Sequence, residues 1–84
     1  MNHIIIDVNP FDLSQSIYVY VDGACVNQTS VVMDQISDTV AGLRNQYSIN
    51  QIDLYGNKDF VSRFKTEMNT KFNNTECEIN IIEK

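Results

Sequence analysis

The sequence has little of several residue types, and each shortage excludes a class of protein. One proline and three glycines among 84 residues leave most of the chain free to form helices and strands. No apolar run approaches the length of a membrane-spanning helix. The N-terminus lacks the basic residues of a secretory signal, so we expect a cytoplasmic protein. Its two cysteines, Cys25 and Cys77, should then be free thiols.

Basic residues are also scarce, with 6 lysines and arginines against 11 acidic residues and a net charge of −5. A negative field repels nucleic acid at long range and favours solubility. This balance therefore makes nucleic-acid binding unfavourable. We also expect no membrane association and no cofactor, since neither the G-x-G-x-x-G nor the G-x-x-x-x-G-K-[ST] motif is present, and we expect a protein partner or a homodimer. Four basic residues fall on the second predicted helix without forming one stripe, which is typical of a solvated face. They are Lys58, Arg63, Lys65 and Lys71.

The residues that are abundant indicate a folded domain. The hydrophobic fraction of 43% and the charged fraction of 20% are globular values, and the length predicts a single domain over residues 1–84. Ten asparagines and ten isoleucines stand out. This composition resembles that of small accessory proteins encoded by AT-rich bacterial genomes and their phages.

Four segments show the two-residue alternation of strands: 3–8, 17–22, 52–55 and 77–82. Ser30 is a candidate N-cap for a helix that continues to about Tyr47, and Asn57 can cap a second helix that stops at Asn73-Asn74. Apolar residues recur every three or four positions in both helices. They are Val32, Ile36, Val40, Leu43 and Tyr47 in the first, and Phe60, Phe64, Met68 and Phe72 in the second.

These elements predict the fold class. The order ββαβαβ predicts a two-layer α/β sandwich with a four-stranded mixed sheet in the order 1-2-3-4. The first strand would be the antiparallel edge, and both helices would cover one sheet face because each has a single apolar stripe.

The other sheet face is then left without a cover, and its composition is unusual for a solvated surface. It carries three tyrosines, and tyrosine is enriched at protein interfaces. We therefore expect a homodimer or partner interface on this open face, formed by Ile5, Tyr18, Tyr20, Tyr55 and Ile82. The favoured function is a non-enzymatic protein-interaction or regulatory module, with no catalytic or metal-binding residues.

The segment Val19-Tyr20-Val21-Asp22-Gly23-Ala24-Cys25 suggests an alternative. It resembles the opening strand of ribonuclease H-like domains, where a hydrophobic strand delivers a metal-binding Asp. In that family a helix carboxylate and a second strand-end Asp complete a two-metal site. The resemblance implies a reduced nucleic-acid-processing or nucleic-acid-binding domain that uses Asp22 and Asp53, with Asp34 and Asp38 on the first helix. The family has a third strand before that helix, and none is predicted here.

Two further sites are considered. Cys25 precedes a predicted helix and, with the only histidine, His3, could form a nucleophile pair, whereas an incidental loop thiol is the simpler interpretation. Cys77 is interpreted as a small core residue. The loops Gly23–Thr29 and Tyr55–Lys58 both follow predicted strands, so they would converge at the carboxyl edge of the sheet, where α/β folds bind ligands.

Overall fold

The computed structural model describes residues 2–72 and 77–83, which form a five-stranded sheet with two helices. The elements in chain order are β1 (Asn2–Asp7), β2 (Ser14–Val21), β3 (Ala24–Val32), α1 (Ile36–Tyr47), β4 (Gln51–Gly56), α2 (Lys58–Phe72) and β5 (Glu78–Glu83). A short 3-10 turn, Met33–Gln35, leads into α1. The predicted α/β class is confirmed, and the predicted count of four strands is wrong.

The strands are arranged in the order β3-β2-β1-β4-β5, so β1 is central. It is antiparallel to β2 and parallel to β4. The predicted order 1-2-3-4, with the first strand at the edge, is therefore wrong. The reason is that β3 runs parallel to β1, so the crossover through α1 passes over β2 and β1 and sets β4 beside β1.

The missed strand begins at a two-residue hairpin turn. Asp22 and Gly23 both have positive φ values, 51° and 86°, and the flanking residues Val21 and Ala24 are paired. Positive φ at both central residues defines the turn that matches the twist of antiparallel strands. The predicted N-cap at Ser30 is wrong, since Ser30 lies within β3. The cap of α1 is Gln35, which makes no side-chain cap hydrogen bond.

The core lies between the helices and one face of the sheet, as predicted. Alternate residues of β1, β2 and β4 point into it, and α1 and α2 contact each other above them. Burying these side chains is the main favourable contribution to folding. The buried apolar residues are Ile4, Ile6, Val8, Ile17, Val19, Ile36, Val40, Leu43, Ile49, Ile52, Leu54, Val61, Phe64, Met68 and Ile79.

The helices follow their predicted stripes with one exception. Val32 belongs to β3 and is 48% exposed, so it is not part of the α1 stripe. The predicted cap of α2 is confirmed, because Asn57 Oδ1 accepts hydrogen bonds from the backbone N–H groups of Asp59 at 3.0 Å and Phe60 at 3.2 Å. The predicted stop at residues 73–74 and the side chain of Phe72 lie outside the described structure.

Neither helix, within the part of the chain that the structure describes, has the length and hydropathy needed to cross a membrane.

Candidate functional site

The sheet face opposite the helices, called the open face below, carries the five residues predicted to form an interface. Strand pairing sets Ile5 directly between Tyr18 on β2 and Asp53 on β4. Tyr55 and Ile82 are direct partners on β4 and β5. Ile82 is exposed and the other four are half-buried. The shared face is thus confirmed, while its use as a protein or homodimer interface stays a prediction.

An aromatic pair lies at one end of the open face. His3 is the cross-strand partner of Tyr20, and their rings stack with centroids 4.9 Å apart and planes 7° from parallel. Tyr18 lies two residues farther along the same strand, on the same side. The sequence pattern does not reveal this pair, because alternation within each strand does not fix the register between two strands.

Asp53 is the most buried acidic residue on the open face, at 8% exposure. Its carboxylate is held by two amides. Gln51 Nε2 donates to Oδ1 and Oδ2 at 3.1 and 3.2 Å, and Asn80 Nδ2 donates to Oδ1 at 3.1 Å. Asn80 lies directly opposite Asp53 on β5. These donors fix the carboxylate in place and satisfy the hydrogen-bonding needs of a buried charge.

The acidic residue that lies near Asp53 is Asp7. Asp22, the predicted neighbour of Asp53, lies farther away. Asp7 ends β1 opposite Tyr55, two residues farther along than Asp53, so strand geometry separates the two Cα atoms by roughly 8 Å. Asp22 lies in the hairpin turn at the other end of the sheet, two strands from β4 and roughly 15 Å from Asp53 by the same geometry. The predicted pairing fails because β1 lies between β2 and β4.

The two-metal centre of ribonuclease H-like domains is one possible use of these carboxylates. Such a centre needs several carboxylates around ions about 4 Å apart. Among residues 2–72 and 77–83, no three His, Cys, Asp or Glu residues are grouped so that they could hold a metal ion. Both oxygens of Asp53 already accept amide hydrogen bonds, and Asp38 of α1 forms an ion pair with Lys71 of α2. The described residues therefore do not fit this metal centre.

The Cys25–His3 nucleophile pair, considered beside the simpler interpretation of an incidental thiol, is not formed. Tyr20 pairs with Cys25 on one side and with His3 on the other, so two strand spacings, roughly 10 Å, separate the two backbones. The Cys25 thiol instead donates to the carbonyl oxygen of Asn27 at 3.5 Å. Cys77 packs against the core as predicted. Burial raises the pKa of its thiol, and the charge and hydrogen bond of Arg44 oppose that rise in part.

The two segments considered as a possible ligand site, with ordinary connections as the simpler interpretation, do not converge as loops at one end of the sheet. Gly23 lies in the β2–β3 turn, and Ala24–Thr29 belongs to β3, which is separated from β1 by β2. The segment Tyr55–Lys58 lies at the carboxyl end of β4.

An open pocket of about 330 Å³ lies at the end of α1 and is lined by Arg44, Asn45, Ser48, Ile49 and Asn50.

Two of the basic residues of α2 make contacts within the helical layer. The guanidinium carbon of Arg63 lies 5.6 and 5.8 Å from the ring centroids of Phe60 and Phe64, within the range of a cation–π contact. Lys71 is engaged with Asp38. Arg63 and Lys71, two of the four basic residues, are thus engaged in contacts within the helical layer.

With the geometry established, comparison with known proteins identifies the fold. The structure is similar to the nuclease domain of the large terminase subunit gp2 of bacterial virus Sf6, with a TM-score of 0.76. The match covers 98% of this chain at 6% sequence identity, and the chain spans 37% of the length of that neighbour. The described residues share the fold of that nuclease domain. No protein-family model matches the sequence, and no curated protein does.

The fold of this neighbour bears on the resemblance drawn from the sequence. That resemblance is to ribonuclease H-like domains, whose opening strand ends in an Asp and whose first helix follows a third strand. Here the opening strand is β1, which ends in Asp7, and β3 is the third strand before α1. The order of elements agrees, but the opening strand is β1 and not Val19–Cys25, which covers the end of β2, the turn and the start of β3. The Asp22-Gly23 pair after an alternating segment is the signal that could have revealed this hairpin.

Proposed function

We propose that this chain is a ribonuclease H-like domain that binds nucleic acid on the open face of its sheet. The observation that carries the proposal is the similarity of almost the whole chain to a domain that cleaves nucleic acid. A viral nuclease as structural neighbour also fits the phage-type composition. This proposal corresponds to the nucleic-acid-binding alternative that the sequence raised, but it relies on the aromatic residues of the open face and not on Asp22 and Asp53.

Aromatic side chains support binding at this face. Tyr18 and Tyr20 lie on one strand, His3 stacks on Tyr20, and Tyr55 lies two strands away. Proteins that bind single-stranded nucleic acid on a β-sheet stack its bases on such aromatic side chains. Each stacked base contributes about 1–3 kcal/mol to the binding free energy. Because the chain has a net charge of −5, few phosphates would be neutralised by lysine or arginine. Binding would rest on stacking, and its salt dependence would be weak.

Fluorescence anisotropy with labelled single-stranded DNA and RNA oligonucleotides at low salt tests this. Replacing Tyr20 by Ala removes one stacking ring and should weaken binding by about tenfold. Phe11→Ala is the matched control, because Phe11 is an aromatic residue that is 93% exposed and lies in the β1–β2 connection, outside the open face. Its affinity should equal that of the unaltered chain. No measurable binding by any oligonucleotide, or equal losses in both variants, would overturn the proposal.

A cleavage assay separates binding from processing. The same oligonucleotides are incubated with Mg²⁺ or Mn²⁺, and we expect them to remain intact because the described carboxylates do not fit a two-metal centre. If the oligonucleotides are cleaved only with the metal, and Asp7→Asn abolishes that cleavage, then the function is catalysis and not binding alone. Such a result would also assign Asp7 a role in the reaction.

A further inference from the structure

The strand β3 forms one end of the sheet and is suited to pair with another strand. It has nine residues, longer than the six of β1, β4 and β5. No residue from Ala24 to Val32 is charged, and none is proline. Val26 and Val32 are each 48% exposed. Natural sheets protect their ends with short strands, lysine, proline or a bulge, and a long end strand that lacks charge and proline is open to pairing with other chains.

The opposite end of the sheet does carry such protection. The end strand β5 has glutamates at both its limits, Glu78 and Glu83. On β3 the one protective feature is the bulge at Val26, which shifts the pairing with β2 between Val19 and Tyr20. A bulge twists its strand locally. The regular stretch Asn27–Val32 remains after it, with side chains that alternate between exposed and half-buried.

The net charge of the chain and the absence of charge on β3 indicate which partner can pair with this strand. Two copies of a chain with a net charge of −5 repel each other, so they associate where neither contributes charge at the contact. Like charges opposite each other across paired strands are unfavourable, and β3 has none to place there. An antiparallel strand is also self-complementary about a two-fold axis, because the same groups donate and accept on both copies.

We propose that two copies of this chain pair antiparallel through β3 and form one continuous ten-stranded sheet. The contact lies along the outer edge of β3, beyond the tyrosines of β2 and β4, and does not depend on nucleic-acid binding. Strand pairing alone makes a small interface, so we expect a dissociation constant in the micromolar range. Asp22 and Asp34 flank β3 on both copies, so raising the salt concentration should strengthen the dimer by screening their repulsion. Nucleic-acid binding is measured with oligonucleotides and depends on the aromatic residues of the open face, so the two proposals can fail separately.

Sedimentation equilibrium from the micromolar to the millimolar range tests the dimer. Gln28→Lys places a charge near the middle of β3 at an exposed position, and we expect at least about tenfold weaker association. Asn69→Lys is the matched control, because it makes the same charge change at an exposed position of α2 and should leave the association intact. Ser30→Glu introduces the opposite sign at another exposed position of β3 and should also weaken the dimer.

Circular dichroism spectra and melting curves establish that each variant is folded before its association is compared. Loss of association in both β3 variants, with the Asn69→Lys chain still dimeric, supports pairing through this strand. A monomer at every concentration would overturn the proposal. So would a dimer that all three variants retain, because the contact would then lie elsewhere.

Discussion

Gly56 is the residue where the end of β4 comes closest to the β1–β2 connection. A Cβ atom at this position would lie 2.7 Å from the carbonyl oxygen of Val8 and 3.1 Å from Cγ1 of Val61. Val8 N–H donates to the carbonyl oxygen of Tyr55 at 2.8 Å, which holds this backbone in place. The clash therefore involves backbone that cannot move without breaking a hydrogen bond. Only glycine fits there.

Replacing Gly56 by Ala should lower the free energy of unfolding by about 2–3 kcal/mol, through overpacking and backbone strain. Gly42→Ala is the matched control, because a Cβ on Gly42 meets nothing within 4 Å and the residue lies inside α1. That control should raise the free energy of unfolding by up to about 1 kcal/mol. Urea denaturation measures both, and a Gly56→Ala chain as stable as the parent would contradict the steric argument.

Buried polar residues could not be predicted from the sequence pattern. Gln15 is only 2% exposed, and it binds the β1–β2 connection by accepting from Asn9 N–H at 2.7 Å and donating to the carbonyl oxygens of Asn9 and Asp12. Asp53 is buried among amides in the same manner. Periodicity registers apolar residues, and a buried polar residue is identified only by partners that lie elsewhere in the chain.

Among the elements, the hairpin between β2 and β3 decides the topology. Its turn also gives Asp22 a structural role that requires no bound metal. Asp22 and Gly23 provide the two positive φ values that this turn requires. The following strand was harder to predict because an end strand contributes little to the core. None of its nine residues is fully buried, so β3 shows no strong apolar alternation. Its last residues therefore resembled the start of the next helix.

Gly23→Val should lower the free energy of unfolding by about 1–2 kcal/mol, because a β-branched residue is unfavourable at a φ of 86°. Asp22→Asn should change it by less than about 0.5 kcal/mol, since asparagine tolerates the same conformation. Thermal unfolding compares the two variants. If Asp22→Asn instead abolished nucleic-acid binding, Asp22 would have a role beyond the turn.

At the scale of the whole molecule, the arrangement of the strands gives β1 the most protected position. It is hydrogen-bonded to β2 on one side and to β4 on the other, and Ile4 and Ile6 are fully buried. The pairing with β4 joins segments more than 40 residues apart, such as Ile4 and Ile52. Contacts of this separation form late and depend on the complete fold.

Amide hydrogen exchange followed by NMR should show this order of stability. The amides of β1 should exchange slowest along the whole strand, and those on the outer side of β3 and β5 should exchange fastest. An edge position for β1 would leave alternate amides of that strand unprotected. Fast exchange at alternate residues of β1 would therefore contradict the strand order. Protection in β3 that rises with protein concentration would agree with pairing between copies.

The sequence by itself determined the α/β class, the apolar stripes of both helices, the cap at Asn57 and the residues of the open face. These features follow from local spacing, because the period of apolar residues fixes which side of an element is buried. The tertiary structure decided that β1 is central, that Asp7 and not Asp22 lies near Asp53, and that β3 is a free edge. Strand neighbours are set by the direction in which the chain crosses the sheet, and side-chain periodicity within one strand does not encode that direction.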